Sequence, residues 1–379
     1  MAMSCDHPDL LPLDEALRRL WEALPGPVPP EVLAGRDDPA MDLTSMDGVA
    51  LRAAEGRQPR RLLGTLYAGS DPSAFPVTPG TAVRIMTGAA LPAGADAIVP
   101  VEQLRQEGDT IHPTVTPKPG DHVRRRGEQA RAGQLLLPAG TPLNAARMAL
   151  LAQEGRPVPT LRRIRVGVAS TGDELMADPA PHQIRDSNGP MLNALARALG
   201  AEPELRPALP DDPPSLAAAL RQPGDLRILL TSGGVSMGEH DHLPAVLADL
   251  GARILFHRIR LKPGKPMLAA LLGDLLVLGL PGNPVSAYVN ALLFLPVALA
   301  RLEGRAFPDP WRRARLAAPM KHRGDRPLLH PCRLVDGRLQ PLPGRGSADL
   351  VTLAHADALA WIEPGGLEAG EKARWIPVV

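Results

Sequence analysis

The sequence predicts a multidomain α/β protein built around a doubly wound, mostly parallel sheet. Three observations lead there. Short apolar runs alternate with helical patterns over residues 161–305, which is how a sheet with crossover helices reads. The chain has 379 residues, more than one hydrophobic core usually supports. The pattern on either side of that region is different, helical and then β-rich before it and β-rich again after it.

Taken in order, Leu13, Ala16, Leu17, Leu20 and Leu24 recur at helical spacing with Asp14 and Glu15 in the first turn, so residues 12–24 predict an amphipathic helix. The following PGPVPP cannot continue a helix and marks a first boundary. Residues 61–67, 81–86 and 97–101 are short β-like pieces among Gly, Pro and Asp, a small β-rich module. Pro142 introduces a second helical pattern at 144–153, expected to pack with the first helix as a stalk that the β module interrupts. Strands are predicted at 163–169, 226–230 and 275–278, with helices at 188–199, 243–250 and 285–302. The last segment has short β-like runs and turns at Asp336-Gly337 and Pro364-Gly365-Gly366, a small barrel or sandwich. The expected domains are a stalk of 1–31 with 134–160, a β module of 32–133, an α/β domain of 161–305 and a C-terminal domain of 306–379.

Composition narrows the functional classes. The 44 prolines argue against a helical solenoid or coiled coil. A net charge of +1 without a long basic block disfavours nucleic acid and anionic membranes as partners. Cys5 and Cys332 stand alone, which implies neither structural zinc nor a disulfide framework and fits a reducing compartment. The N-terminus lacks the basic start and apolar run of a signal peptide. The most apolar stretch, residues 267–280, is broken by Gly273 and Asp274 and is shorter than the roughly 20 residues that span a bilayer. A soluble cytoplasmic protein is expected. Only five of the 42 basic residues are lysines, and two of them, Lys262 and Lys265, share the pentapeptide KPGKP. That placement suits compact ammonium donors for an anionic oxygen.

The polar motifs of the α/β region each follow a predicted strand: STGDEL at 170–175, SGGVSMGEHD at 232–241 and LPGNPVSA at 280–287. Open parallel sheets bind ligands beyond the carboxyl ends of their strands, so three such loops line one cleft. Paired glycines let backbone N–H groups approach an anion, although SGG also reads as an ordinary tight turn. PGNP opens a helix whose first N–H groups and Ser286 hydroxyl can face an anion, although Asn283 and Pro284 also read as a simple cap. Asp173 and Glu174, Asp186 in RDSN and Asp241 bring carboxylates to the same edge, where they either cap helices and turns or hold magnesium against phosphate oxygens. The triplet His240-Asp241-His242 lacks a third spaced ligand for zinc. Arg124-Arg125-Arg126 reads as a solvated face.

Together these segments resemble the MoeA family, the molybdopterin molybdenumtransferases, whose eukaryotic counterpart is the E domain of gephyrin-like proteins. The likeness runs through SMDGVA at 45–50, VRIMTGAALPAGADAIVPVE at 83–102, RRRGE at 124–128, STGDEL, RDSNGPML, TSGGVSMGEHD, LKPGKP, LPGNPVSA and GSADL at 346–350. Nine segments in one order carry far more weight than any single glycine loop. The resemblance implies four domains, the last a β-barrel, and a homodimer whose clefts join the α/β domain of one subunit to the β module of the other. It implies catalytic roles for Asp47, Thr87, Glu174, Asp186 and Asp241, the last three also serving Mg2+. Ser170, Thr171, Gly172, Ser232, Gly233, Gly234 and Ser236 would bind adenylylated molybdopterin together with Pro281, Asn283 and Pro284. Lys262, Lys265, Ser286 and Ser347 would meet molybdate. The implied reaction inserts molybdate into adenylylated molybdopterin and releases AMP, and an adenylyltransferase supplying that substrate is an implied partner.

The chain departs from the family pattern at three places. Val49 follows the MDG segment where tyrosine is common, and Gln129 follows RRRGE where aspartate is common. His330 stands as the best counterpart of an arginine about twenty residues before the GS motif. The rival readings are a pterin adenylyltransferase, which would not need the other three domains, and a non-catalytic gephyrin-like scaffold, against which the acids and the lysine pair argue.

Overall fold

A computed structural model of the chain describes residues 10–158, 163–209, 212–235 and 242–379. They fall into two compact units, Met1–Pro27 with Pro159–Val379, and Val28–Val158. The N-terminal helix α1 (Leu13–Ala23) belongs to the first unit. Its apolar face, Leu13, Ala16, Leu17 and Leu20, enters that unit's main core.

The second unit is mostly β. Two short pairs, β1 (Val32–Leu33) with β10 (Leu135–Leu137) and β2 (Leu43–Thr44) with β9 (Val123–Arg124), frame a six-stranded sheet. That sheet consists of β3 (Gly48–Leu51), β4 (Arg60–Leu66), β5 (Thr81–Ile85), β6 (Ala97–Pro100), β7 (Leu104–Glu107) and β8 (Thr110–Pro113), in the order β6-β3-β5-β4-β8-β7. It is packed on both faces, with Val49, Leu51 and Val99 on one and Ala50, Val83 and Ile98 on the other. Full burial on two faces explains why Val49 fits where it stands. The helix α2 (Ala145–Gln153) starts on Asn144, whose side chain accepts from the Arg147 N–H, so the sequence reading of 144–153 holds.

The first unit contains the α/β sheet: β11 (Arg165–Ser170), β12 (Glu202–Leu205), β13 (Ile228–Ser232), β14 (Arg253–His257), β15 (Leu268–Leu272) and β16 (Leu275–Leu280), ordered β12-β11-β13-β16-β15-β14. Strands β12, β11, β13 and β16 are parallel, whereas β15 and β14 add antiparallel pairs at one edge. The apolar run 267–280 is therefore the β15–β16 hairpin, turned at Gly273-Asp274. Helices cover both faces. On one, α1, α3 (Asn188–Ala198) and α6 (Pro284–Leu302) pack on Ile228, Leu230, Leu276 and Leu278. On the other, α4 (Pro213–Arg221) and α5 (Leu243–Asp249) pack on Leu229, Leu275 and Val277. Alternate residues of each strand thus serve opposite cores. Within this unit α1 packs on α6 and β14.

Helix α6 is long and apolar enough to cross a membrane, but it is the core helix of this unit, buried over most of its length. After it, β17 (Arg312–Leu316), β18 (Leu328–Val335), β19 (Arg338–Pro341), β20 (Ala358–Ile362) and β21 (Lys372–Pro377) close a barrel in the order β17-β19-β18-β20-β21, with α7 (Leu350–Ala354) between β19 and β20. Of the two forms left open by the turn signals, the barrel is the one observed. Its interior holds Leu316, Cys332, Leu339, Ala360 and Trp375. Burial pushes the Cys332 thiol up to about 12, so it is an inert core residue.

Leu278 lies fully buried in β16, at the centre of the sheet. Leu278→Ala should lower stability by about 2–5 kcal/mol, read as a shift of the denaturant midpoint.

Candidate functional site

Parallel pairing sets the site. Ser170, Ser232 and Leu280 occupy one row across β11, β13 and β16, and the three polar loops start from that row. The Thr171 N–H donates to the Ser232 carbonyl at 2.8 Å and the Gly233 N–H to the Leu280 carbonyl at 2.9 Å, which continues the strand register into the loops. At Gly233 the backbone has φ +108°, and a Cβ there would lie 2.4 Å from Thr171 Oγ1. Only glycine fits that approach.

Two cavities open at this edge. The first, about 470 Å³, is lined by Ser170, Thr171, Glu174, Asp186, Asn188, Ser232, Asn283 and Pro284 among others. Ser170 Oγ donates to Asp186 Oδ1 at 2.8 Å, and the Gly189 N–H donates to the same oxygen at 2.9 Å. Asp186 therefore caps the start of α3 and faces the cavity as well, so its two readings are compatible. Both bonds fall on Oδ1, which leaves Oδ2 for a ligand. Gly172 and Gly234 shape the loops without lining either cavity, Gly172 lying beneath the Glu174 carboxylate. Ser236 and Asp241 lie outside the described residues.

The second cavity, about 550 Å³, is lined by Lys262, Lys265, Pro281, Asn283, Ser286, Arg326, His330 and Ser347, among others. Its lysine turn is held from several sides. The Lys262 N–H donates to the Pro327 carbonyl and the Leu329 N–H to the Lys262 carbonyl, a bridge onto the start of β18. The Asn290 amide, fully buried in α6, donates to the Gly264 carbonyl at 3.1 Å. Gly264 has φ +109° and a Cβ there would meet Asn290 Oδ1 at 2.4 Å. The Val285 N–H donates to the Ser347 carbonyl, which draws the barrel loop onto the start of α6 but uses one of the helix N–H groups expected to face an anion. Asn283 occupies the N-cap position, yet its side chain makes no capping bond. It lines both cavities, which therefore adjoin at this residue.

The second cavity is lined by the cations Lys262, Lys265 and Arg326 and by the carboxylate of Asp349, whose oxygens accept from the Arg345 N–H and from Thr352, and neither lysine forms an ion pair among the described residues. Arg326 was missed by the sequence reading. It stands twenty residues before Gly346, the spacing at which His330 had been put forward, and its guanidinium donates to the Leu261 carbonyl while lining the cleft. His330 lines it too, but burial pushes its pKa down, and its Nε2 lies 2.8 Å from the Leu342 carbonyl. Since that carbonyl can only accept, Nε2 carries the hydrogen, and burial disfavours the protonated ring. Asn188 and Asn290 were also missed, although Asn188 stands in the RDSN segment itself.

Magnesium takes oxygen ligands, commonly one or two carboxylates plus phosphate oxygens. Glu174 and Asp186 line the same cavity and fit that donor set. Among the described residues no group of three or more His, Cys, Asp or Glu could hold an ion alone, so substrate oxygens would complete its shell.

In the second unit Asp47 and Thr87 meet directly. The Thr87 N–H and hydroxyl both donate to Asp47 Oδ1 at 2.7 Å, the N–H first in effect, and hold the Asp47 carboxyl below its ordinary value. The arginine run is a set of local ion pairs, as its bland reading held: Arg124 with Glu128, Arg125 with Asp42 and Arg126 with Asp37. With its amide turned to satisfy both ends, Gln129 donates to Asp38 and accepts from Arg124.

The chain matches three families over successive segments: the MoeA N-terminal region, domains I and II, over residues 14–155, a probable molybdopterin-binding domain over 167–300, and the MoeA C-terminal region, domain IV, over 313–378. It is 36% identical over 374 residues to a molybdopterin molybdenumtransferase of Nostoc sp., covering 93% of this chain and 86% of that one. The Bacillus subtilis protein of the same name is 32% identical, covering 97% and 94%. Among solved structures, a molybdopterin biosynthesis MoeA protein of Pyrococcus horikoshii superposes with a TM-score of 0.71 at 27% identity, covering 97% of this chain and 99% of that one.

The Asp47 pair gives a direct test. A depressed carboxyl pKa contributes stability at neutral pH that is lost as pH falls through the folded value. Thr87→Val removes one of the two donors, so NMR titration should find the Asp47 pKa raised toward its ordinary value.

Proposed function

The chain belongs to the MoeA family, and from that membership we propose that it works in molybdenum cofactor biosynthesis as a Mg2+-dependent molybdopterin molybdenumtransferase of the cytoplasm. The observation that carries this reading is the pair of adjoining cavities, one with the carboxylates of Glu174 and Asp186 and the other with three cations, one carboxylate and a histidine whose protonation burial disfavours. Adenylylated molybdopterin occupies the first, its phosphates toward Glu174 and Asp186. Molybdate occupies the second, where a tetrahedral dianion takes hydrogen bonds from Lys262, Lys265, Arg326, Ser286 and Ser347. Asn283, shared by the two, faces the place where the substrates meet.

The chain's own contribution is binding and orientation. Ser170, Thr171 and Ser232 with the glycine loop hold the nucleotide, and the cationic cavity keeps the oxyanion charged and close to the dithiolene. Glu174 and Asp186 would hold magnesium, which would supply neutralisation of phosphate charge. No side-chain nucleophile is required. The four-domain division and the homodimer belong to the same proposal, with Asp47 and Thr87 of one subunit completing the cleft of the other. An adenylyltransferase delivering the substrate remains the expected partner.

Incubation with adenylylated molybdopterin, Mg2+ and molybdate should release AMP. Adenylylation of free molybdopterin instead would mark an adenylyltransferase, and neither reaction would mark a scaffold. With nucleotide saturating, Lys265→Ala or Arg326→Ala should each raise the half-saturating molybdate concentration about tenfold to a hundredfold, whereas His330→Gln should change it by less than about threefold because a neutral ring contributes no charge. The shared cleft has its own check. Inactive Asp47→Ala and Asp186→Ala subunits, mixed into one dimer, should regain partial AMP release, and inactive mixed dimers would rule the shared cleft out.

A further inference from the structure

Asn188 is the first residue of α3 and has a side chain only 8% exposed. Its amide donates one hydrogen to Ser232 Oγ and the other to the Gly282 carbonyl, both at 2.6 Å. Ser232 Oγ in turn donates to the Pro281 carbonyl at 3.2 Å. One side chain therefore ties together the start of α3, the glycine loop after β13 and the PGNP loop after β16. Both donors are used, while Asn188 Oδ1 is buried without a partner. The orientation of the amide follows from this, since turning it over would set its oxygen against the Gly282 carbonyl. An unpaired buried acceptor is costly, and an apolar residue of similar size would avoid that cost while losing both donors.

The side chain sits at the junction of the two cavities. It lines the nucleotide cavity, and the carbonyl it holds belongs to Gly282, immediately before Asn283, which lines both. Accepting the functional reading above, we infer that Asn188 is a positioning residue that fixes the PGNP loop against the glycine loop and so sets the register between bound nucleotide and bound oxyanion. It touches neither reacting group. Its action runs through Ser232 and through the placement of Asn283 and Ser286. Loss of the latch should cost rate more than affinity, because each cavity keeps its own ligands while the two substrates lose alignment.

Two variants test this. Asn188→Asp keeps the shape but replaces a donor with a carboxylate oxygen facing the Gly282 carbonyl, and Ser232→Ala removes a single arm should the first variant fail to fold. With both substrates saturating, kcat for AMP release from Asn188→Asp should fall about tenfold to a hundredfold, while equilibrium binding of each substrate alone changes by less than about threefold. Ser232→Ala should move kcat in the same direction by less. A purely structural asparagine would lower the melting temperature and leave kcat at saturation unchanged, and that result overturns the proposal. Hydrogen exchange separates its failure from failure of the functional reading. If the unaltered protein releases no AMP, the function is wrong, and the latch is still decided by the N–H groups of Leu280, Gly282, Asn283, Val285 and Ser286. These should exchange about tenfold faster in Asn188→Asp, and unchanged exchange overturns the latch.

Discussion

Parallel pairing of β11, β13 and β16 places Ser170, Ser232 and Leu280 in one row, and every feature of the cavity lined by Glu174 and Asp186 depends on that register. Parallel strands all end at the same edge, so their following loops must emerge together. A slip of one residue would turn Ile228 and Leu230 from the α3 and α6 side toward α4 and α5, against both cores at once. The hydrophobic faces thus hold the register, and the register aims the polar loops. The hydrogen bonds among Ser170, Asp186, Asn188 and Ser232 then close a geometry that the cores have already set.

Helix α6 joins the two cavities. Its first turn presents Asn283, Pro284 and Ser286, and Asn290, buried farther along it, holds the lysine turn through the Gly264 carbonyl. The remaining wall comes from the barrel, through Arg326, His330 and Ser347. Lys262, Lys265 and Arg326 face one cavity with a single carboxylate, Asp349, and both lysines are without an ion pair among the described residues. That arrangement suits an anionic guest better than it suits a structural core. Burial disfavours a protonated His330, and its hydrogen bond to the Leu342 carbonyl fixes the ring in place.

The second unit uses charge in a different way. Asp37, Asp42 and Glu128 each take one arginine of the 124–126 run, so its positive charge is spent locally. Arg60 is fully buried and donates to the carbonyls of Arg52, Gly56 and Gln58, which binds the turn after β3. Asp47 differs from these carboxylates, because its partner is the neutral Thr87. Its negative charge is therefore stabilised without being cancelled.

Much of this architecture was legible in the sequence because it rests on local signals. Helical spacing marked α1, α2, α3 and α6, strand-like runs marked β4, β5, β6, β11, β13 and β16, and the loops carrying STG, SGG, PGNP and KPGKP announced themselves by glycine, proline and their position after strands. Less regular pieces escaped: β12 and β14 are short and mixed in polarity, and β15 lies in the apolar run 267–280, of which only the part after Gly273-Asp274 was read as a strand. The helix of residues 12–24 was correct, but its apolar stripe specified only that something must cover it, and α6 does. The site divides in the same way. Lys262 and Lys265 stood out by rarity and spacing, whereas Arg326 was one arginine among many until the barrel closed beside them. Asn188 reaches Ser232 across 44 residues and Gly282 across 94, and Asn290 reaches Gly264 across 26. Bonds of that kind follow no periodicity and leave no local trace, so only the packing of sheet, helix and barrel could decide them.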